Sequence, residues 1–353
     1  MKKVLLESHN IKNQASGFGV FNYSLIKAFA AINPTDLKLI LNIKNISSIK
    51  SEFGNVFGYN RYLSLQRHSW WGVTGKFDVW HCMNQNIKVE PLSCPKKYIL
   101  TVHDVNFAED LTQKKNRDRY KLFKNKLNRS DEITYISKYA KNQTHNFFEV
   151  PDVKEKIIYN GNPITEFLDV SDYRPEVPVD KPFFYSLGDF IPKKNFESLV
   201  RMMTQINDFY LIISGSDQKS YGYYIRDLIK ELNLENKVFL TGKVSEEGKQ
   251  FYMKNCTAFL FPSIGEGFGL PPIEAMRFGK PVFLSKLGSL PEIGGEVAFY
   301  WENFAPESMK EVLFEKLDEF QDQKSSMEIS LKKRADFFNW NDAANSYLES
   351  YRS

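Results

Sequence analysis

The sequence has few cysteines, no long apolar run and no pattern typical of a metal site. Its three cysteines, Cys82, Cys94 and Cys256, are scattered and fit neither a zinc spacing nor a disulfide framework. Apolar stretches stay well short of the roughly eighteen residues of a membrane span, and the N-terminal run is too short for a signal peptide. Asp-x-Asp does not occur. These absences favour a cytoplasmic, reduced protein that works without a metal ion and without a bound cofactor.

The composition is that of a globular protein whose two halves differ in charge. Of the 353 residues, 42% are hydrophobic and 15% aromatic, which is enough for two ordinary domains. Residues 1–165 contain 25 Lys+Arg and 14 Asp+Glu, whereas residues 166–353 contain 22 and 29. The basic half indicates contact with a polyanion, and no nucleic-acid motif accompanies it.

Much of the basic excess lies in residues 114–129, which carry eight Lys/Arg and one acid. Tyr120, Phe123 and Leu127 recur there at helical spacing, so we expect a helix with an apolar stripe that packs on the core. A solvated face is one interpretation of the charges; attraction to an anionic membrane or to an acceptor phosphate is the other. The cations expected to meet such a surface are Lys121, Lys124 and Lys126.

Short apolar runs alternate with helix-length stretches along the whole chain. This pattern predicts parallel sheets covered on both faces, arranged as two doubly wound domains. The predicted strands lie at residues 4–6, 37–41, 79–82, 98–102, 133–136, 157–159, 183–187, 209–213, 238–240, 258–261, 281–284 and 297–300.

The most informative segment carries Glu266 and Glu274. It follows the apolar run at 258–261 and contains Pro271-Pro272, which is typical of a helix start. Glu266 is therefore expected in a loop at the carboxyl end of a strand, and Glu274 in the first turn of the next helix. Each glutamate alone could be a solvated loop residue or a helix-capping acid.

Three backbone N–H groups between these glutamates point to an anion. Phe268, Gly269 and Leu270 precede or open the helix, where N–H groups have no partner within the helix. Two carboxylates that hold hydroxyls, beside amides that hold phosphate, suggest a sugar nucleotide.

The string EGFGLPPIEAMRFGKPVFLSKLGSLPEIGG, residues 266–295, resembles the Glu-x7-Glu region of the retaining glycosyltransferases of family 4. The resemblance implies the GT-B fold, in which two Rossmann-like domains face a cleft and the C-terminal helix crosses back to the first domain. The expected divisions are an acceptor-binding domain at 1–165, a linker at 166–182, a nucleotide-sugar domain at 183–338 and a terminal helix at 339–353.

Candidates in the first half follow strand ends. Gly17 and Gly19, in the loop 14–19, could let backbone approach the donor at a helix N-terminus, although a tight turn is an equal interpretation. A dinucleotide-binding loop fits poorly, since Asn22 stands where a third small residue is expected. His103, in Thr-Val-His-Asp, resembles the family's histidine beside the donor sugar, and His9 is a weaker candidate for acceptor contact.

Candidates in the second half also follow strand ends. Lys194, helped by Lys193, can neutralise charge on a departing diphosphate and is similar to the family's basic clamp. Many members carry an arginine just after the preceding glycine, where this chain has Asp189. By the same resemblance, Gly215 and Val244 border the nucleoside.

We therefore expect a retaining glycosyltransferase in which Glu266, Lys194 and His103 act at the reacting centre. The resemblance implies a front-face displacement in which the donor phosphate takes the acceptor's proton. GDP-mannose is the favoured donor, and the acceptor is a glycan or a polyprenyl-diphosphate-linked glycan of bacterial O-antigen, lipopolysaccharide or capsule synthesis. The protein is expected in the cytoplasm, peripherally on the inner membrane face. Alternatives are a non-hydrolysing UDP-sugar epimerase of GT-B fold and a degenerate membrane-associated scaffold.

Overall fold

Parallel strands and the helices between them form two units. The computed structural model describes residues 1–13, 16–68 and 70–353. The strands are β1 (Lys2–Glu7), β2 (Leu37–Ile43), β3 (Gly58–Arg61), β4 (Val79–Cys82), β5 (Lys97–Val102), β6 (Glu132–Tyr135), β7 (Lys154–Ile157), β8 (Phe183–Leu187), β9 (Tyr210–Ser214), β10 (Val238–Gly242), β11 (Ala258–Phe261), β12 (Val282–Ser285) and β13 (Phe299–Trp301). The α-helices are α1 (Gly17–Ile32), α2 (Ile46–Phe53), α3 (Lys114–Leu127), α4 (Lys138–Phe147), α5 (Phe196–Met202), α6 (Ser220–Glu231), α7 (Glu246–Asn255), α8 (Leu270–Arg277), α9 (Leu290–Gly294), α10 (Pro306–Asp322), α11 (Lys324–Phe337) and α12 (Trp340–Arg352).

The first unit comprises Met1–Gly161 and Asn339–Ser353. Its sheet runs in the order β3-β2-β1-β4-β5-β6-β7, and the neighbouring strands are parallel. Val4, Leu5 and Leu6 of the central strand β1 are wholly buried. A strand buried on both faces requires a continuous apolar run, which explains why this run lacks the alternation of a half-exposed strand.

The second unit is Asn162–Phe338. Its parallel sheet has the order β10-β9-β8-β11-β12-β13. All twelve predicted apolar runs overlap strands, so the prediction of two parallel doubly wound sheets is confirmed. The edge strand β3, Gly-Tyr-Asn-Arg, escaped prediction because it is only half-buried and has no apolar run.

The terminal helix α12 belongs to the first unit. Its Tyr351 hydroxyl lies 2.7 Å from His81 Nδ1, and its Tyr347 hydroxyl lies 3.2 Å from Thr101 Oγ1. Ser350 donates to the buried Glu132 at 2.5 Å. Buried polar bonds of this kind fix the helix in one register, because each lost partner would leave an unpaired group in the core.

The predicted linker at 166–182 is part of the second unit, so that expectation was wrong. The unit begins at Asn162, and Ile164 and Val170 are buried in it. The backbone N–H of Leu168 donates to Gln250 at 2.9 Å. The prolines that suggested a linker instead lie in an irregular segment that covers the core.

Helix α3 is the predicted basic helix, and its apolar stripe packs as expected. Phe123 and Leu127 are wholly buried. The expectation for Lys126 was wrong, because this side chain is also wholly buried and its Nζ lies 2.9 Å from Glu90 Oε1. Lys126 belongs to the buried side of the helix by its spacing from Phe123, whereas Lys121 and Lys124 are exposed.

Across the described residues, no helix combines the length and apolar character needed to cross a bilayer. In the same residues, histidines, cysteines and carboxylates do not gather in threes at metal-binding distances.

Candidate active site

Glycines bring three loops of the second unit into backbone contact at the carboxyl edge of the sheet. The N–H of Gly188, after β8, donates to Ser214 O at 3.0 Å, and the N–H of Gly215, after β9, donates to Gly242 O at 2.8 Å. Gly215 has φ +149°, and a Cβ there would lie 1.8 Å from Gly188 O. Only glycine fits this position. We call the backbone at Gly188, Gly215 and Gly242 the shelf; it carries no side chains, so a ligand can approach it closely.

Lys194 and Glu266 meet beside this shelf. Lys194 Nζ lies 2.6 Å from Glu266 Oε1, and the same oxygen accepts a bond from Ser263 Oγ at 2.6 Å. Burial alone would raise the pKa of Glu266, but the charges of Lys194 and Lys193 and the two hydrogen bonds outweigh it and hold that pKa below its ordinary value. Glu266 is therefore a carboxylate at neutral pH, able to accept hydrogen bonds from hydroxyls.

Lys193 reaches the pair through its backbone as well as its charge. Its carbonyl accepts from Ile264 N at 2.8 Å and from Ser263 Oγ at 2.9 Å. The loop after β8 is thus tied to the loop after β11, which carries Glu266. The two lysines singled out in the sequence, Lys193 and Lys194, therefore lie next to Glu266.

The loop after β12 fixes the backbone of Glu266. Its carbonyl accepts from the N–H and the hydroxyl of Ser289, at 3.1 and 3.0 Å. Gly288 has φ +64°, and a Cβ there would lie 2.9 Å from Glu266 N. Neither Gly288 nor Ser289 was predicted as a site residue, although both lie within the string that resembles family 4.

Glu274 is the fifth residue of α8, one turn further along than expected, because the helix begins at Leu270, and it is almost wholly buried. Its Oε1 lies 2.7 Å from Nζ of Lys249, which also pairs with Glu246 at 2.9 Å. Burial works to lower the pKa of Lys249, but the two carboxylates raise it overall. The sequence offered no signal for Lys249, because its partner is 25 positions away on another helix.

The N-terminus of α8 presents backbone near Glu266. Gly269 precedes the helix with φ +112°, and no side chain of the described residues caps it. Pro271 and Pro272 have no N–H, so the first turn offers fewer amide donors than an ordinary helix start. The backbone of Phe268 is anchored by Ser289 Oγ, which lies 2.5 Å from its carbonyl oxygen.

Val244 is half-buried between β10 and α7. The next residue, Ser245, caps α7 by accepting the N–H of Gly248 at 3.0 Å. Val244 therefore lies on the carboxyl side of the sheet, as its predicted role requires.

In the first unit, His103 follows β5 and is a buried, neutral imidazole. Its Nε2 lies 2.9 Å from Met83 O, and the rings of Phe18 and Phe21 contact it edge-on at 4.8 and 4.6 Å. Burial lowers its pKa to about 4, against a smaller opposing effect of the Met83 carbonyl. His103 cannot act as a cation at neutral pH, so any support of positive charge must come from its ring dipole.

Gly17 and Gly19 lie in the first turn of α1, but they differ in exposure and in the hydrogen bonding of their backbone. Gly17 is exposed with open space around its Cα, whereas the N–H of Gly19 donates to Ser16 Oγ at 3.2 Å. Gly19 is therefore used for capping and its N–H is not available to a phosphate. Gln14 and Ala15 of the predicted loop lie outside the described residues.

The segment that carries the site side chains of the second unit is similar to a known protein family. Residues 171–329, which include Lys194, Glu266 and Glu274, match the model of the family described as glycosyl transferases group 1. This matched segment is similar to a group 1 glycosyl transferase domain. Its boundaries lie inside the second unit.

Curated relatives match longer stretches of the chain than this segment. The chain is 28% identical over 245 residues to an uncharacterized glycosyltransferase of Methanocaldococcus jannaschii, covering 63% of this chain and 61% of the relative. It is 27% identical over 203 residues to the O-antigen chain mannosyltransferase RfbU of Salmonella typhimurium, covering 57% and 55%. The chain thus matches less than two thirds of these relatives' length. O-antigen chain mannosyltransferase B of Escherichia coli aligns over 99% of both chains at 24% identity.

Solved structures show the fold of the whole chain. Sucrose-phosphate synthase from Thermosynechococcus elongatus superposes with a TM-score of 0.74 at 18% identity, covering 100% of this chain and 98% of the other. Anabaena HepE, in complex with UDP and glucose, gives 0.73 at 15% identity and covers 100% of both. The chain has the GT-B fold, so the fold that the sequence resemblance implied is confirmed.

Proposed function

We propose that the chain transfers a sugar, with retention of configuration, from a nucleoside diphosphate sugar to a hydroxyl of a glycan or of a polyprenyl-diphosphate-linked glycan. The observation that carries the proposal is the half-buried Lys194–Glu266 pair at the carboxyl edge of the segment that matches the group 1 family. A carboxylate beside a cation suits a substrate with hydroxyls at one end and a diphosphate next to them.

Each group has a role that its surroundings support. Glu266 accepts hydrogen bonds from donor-sugar hydroxyls, and Lys194, with Lys193 beside it, stabilises the charge that grows on the departing diphosphate. The N–H groups at Phe268–Leu270 assist at the same phosphate. The sugar–phosphate bond breaks, the acceptor oxygen bonds to the anomeric carbon on the same face, and the acceptor's proton passes to the departing phosphate.

Further residues bind the remaining parts of the donor. Glu274, held in place by Lys249 at 2.7 Å, accepts hydrogen bonds from ribose hydroxyls. The bare backbone at Gly215 and the turn at Val244 border the nucleoside. His103 approaches the donor sugar as a neutral ring, and Gly17 offers backbone at the start of α1.

GDP-mannose is the favoured donor, because O-antigen mannosyltransferases are among the relatives in sequence. UDP-glucose is the competing donor, because a structural neighbour was solved with UDP and glucose. The exposed lysines of α3 support an acceptor at the inner face of the cytoplasmic membrane, since anionic lipid attracts such side chains. The reaction as proposed needs no divalent metal.

The test is an assay with GDP-mannose, UDP-glucose and a lipid-diphosphate-linked sugar, with and without a chelator. Transfer that survives chelation, with an α-linked product from an α-linked donor by NMR, supports the proposal. Lys194→Ala should lower kcat by about 10²- to 10³-fold, whereas Lys230→Ala, at an exposed lysine of α6, should not. An epimerised donor would indicate the epimerase alternative, and absence of both turnover and nucleotide binding would indicate a scaffold.

A further inference from the structure

Buried polar atoms without partners gather at the carboxyl ends of β1, β2 and β3 in the first unit. Among the described residues, Glu7 Oε2, Asn42 Nδ2 and the Tyr62 hydroxyl have no hydrogen-bond partner. Glu7 and Asn42 are wholly buried, and Tyr62 is 4% exposed. An unpaired buried polar group costs about 1–3 kcal/mol, so three at one place call for a functional explanation.

These atoms belong to one face of the sheet. Glu7 and Asn42 are register partners across the parallel pair β1–β2, so their side chains leave the sheet on the same side. Asn60 of β3 is the next register partner and donates to Asn42 Oδ1 at 2.9 Å. Tyr62 follows directly after β3. A row of polar side chains therefore crosses three strands where a doubly wound sheet binds its ligands.

His9 covers this row. Its Nδ1 lies 2.7 Å from Glu7 Oε1, and its ring stacks on Tyr62 with the centroids 4.6 Å apart and the planes 9° apart. A carboxylate oxygen accepts here, so Nδ1 carries the hydrogen, and in the neutral form of the ring Nε2 presents a lone pair. Residues 1–13, 16–68 and 70–353 supply no partner for Nε2.

The other buried histidines of the first unit are engaged differently. His81 uses both ring nitrogens, with Tyr351 and Thr101, and His103 uses Nε2 with a backbone carbonyl. His9 alone of these three is held by a carboxylate on one nitrogen and a stacked ring on its face. This geometry fixes an outward hydrogen-bond acceptor in one orientation.

We propose that Glu7, His9 and Tyr62 form a binding subsite for the acceptor sugar. His9 Nε2 accepts a hydrogen bond from a hydroxyl next to the one that attacks, and Glu7 is the positioning residue that fixes the tautomer. The attacking hydroxyl keeps its own proton for the departing phosphate, so the subsite orients the acceptor and breaks no bond. This assignment rests on the proposed glycosyl transfer and specifies where a neutral carbohydrate acceptor binds.

The kinetic test compares three changes in the first unit. His9→Asn retains an N–H for Glu7 but removes the outward acceptor, and should raise the KM for the acceptor about tenfold, the loss of one hydrogen bond. The KM for the donor and the rate of donor hydrolysis without acceptor should stay unchanged. His9→Gln, whose amide oxygen can reach the Nε2 position, should restore part of the affinity. The matched control is His145→Gln, which breaks an exposed His–carboxylate pair, 2.8 Å from Glu155, in the same unit.

Equal effects on acceptor transfer and donor hydrolysis would overturn the subsite, because a structural defect lowers both. So would an unchanged acceptor KM in a folded His9→Asn protein.

A direct binding measurement uses the unaltered protein and separates the two proposals. In protein labelled with ¹⁵N-histidine, the Nε2 signal of His9 should shift on titration with octyl mannoside or octyl glucoside, while that of His145 stays. The signal should not respond to GDP-mannose or UDP-glucose alone. A shift without any transfer activity would refute the glycosyl transfer and keep the sugar subsite. Transfer activity with a Nε2 signal that no glycoside moves would refute the subsite and keep the transfer.

Discussion

The two units have the same architecture but treat charge in opposite ways at the ends of their strands. In the second unit, Glu266 and Glu274 are each paired with a lysine, at 2.6 and 2.7 Å. In the first unit, burial lowers the pKa of His103 and His81 to about 4 and about 3, so both are neutral. A carboxylate paired with a lysine suits a donor that has hydroxyls beside a diphosphate. Neutral hydrogen-bonding side chains suit a carbohydrate. The fold supplies the position, and local side chains decide the ligand.

The largest expected effect tests the tight backbone contact of the second unit. Gly215→Ala would place a methyl group 1.8 Å from Gly188 O and impose a positive φ on alanine. We expect a loss of more than about 3 kcal/mol in the free energy of unfolding, measured in urea. Gly17→Ala in the first unit has open space and should change it by less than about 0.5 kcal/mol. Similar losses for both would show that the shelf is not rigid.

The second prediction uses acid to separate the units. A buried neutral histidine has a folded pKa below its unfolded value, so its contribution to stability is present above about 6.5 and is lost as pH falls towards the folded value. His81 and His103 should each cost the first unit about 2 kcal/mol between pH 6.5 and 5.

Glu266 behaves in the same sense but at lower pH, since its lowered pKa delays the loss until pH falls below the ordinary value of a carboxylate. Hydrogen exchange by mass spectrometry, corrected for its intrinsic pH dependence, reports each unit separately. Protection should fall first in the first unit. A parallel decline in both units would contradict the comparison.

The third prediction concerns the buried pair of α8. Glu274→Gln should weaken nucleotide binding about tenfold, because an amide accepts weaker hydrogen bonds than a carboxylate and leaves Lys249 less well paired. Calorimetry with GDP and UDP measures it. Glu246→Gln removes the charge of the other partner of Lys249, 2.9 Å away, and serves as the control that leaves the Glu274–Lys249 pair in place. Unchanged nucleotide affinity in Glu274→Gln would refute the ribose role.

The smallest expected effect concerns the basic surface of the first unit. Replacing the exposed Lys121 and Lys124 by Gln should weaken binding to anionic liposomes by about 1 kcal/mol, with the loss shrinking as salt rises. The matched control in the second unit replaces the exposed Lys324 and Lys333 of α11 by Gln. Equal sedimentation of the α3 variant and the unaltered protein would refute membrane attraction through this helix.

The sequence predicted the strands better than it predicted which side chains contact the site residues. Apolar runs revealed both sheets because parallel strands buried on both faces are rich in apolar residues. Pro271-Pro272 marked the start of α8 within one residue. Lys249 and Ser289 were missed because their contacts with Glu274 and Glu266 join distant segments.

Lys126 was assigned to the surface because the prediction used the number of charges in the segment and ignored which side of the helix each residue occupies. Its neighbour at three positions, Phe123, already marked that face as buried.

The position of α12 has a consequence for synthesis on the ribosome. Residues 340–352 complete the polar network of the first unit through Tyr347, Ser350 and Tyr351. The ribosome makes them after the whole of the second unit, so the domain translated first is finished last. The second unit can fold while the first still lacks its final helix, and with it the partners Tyr351 of His81 and Ser350 of Glu132. A stall or a premature stop late in translation would therefore damage the beginning of the protein.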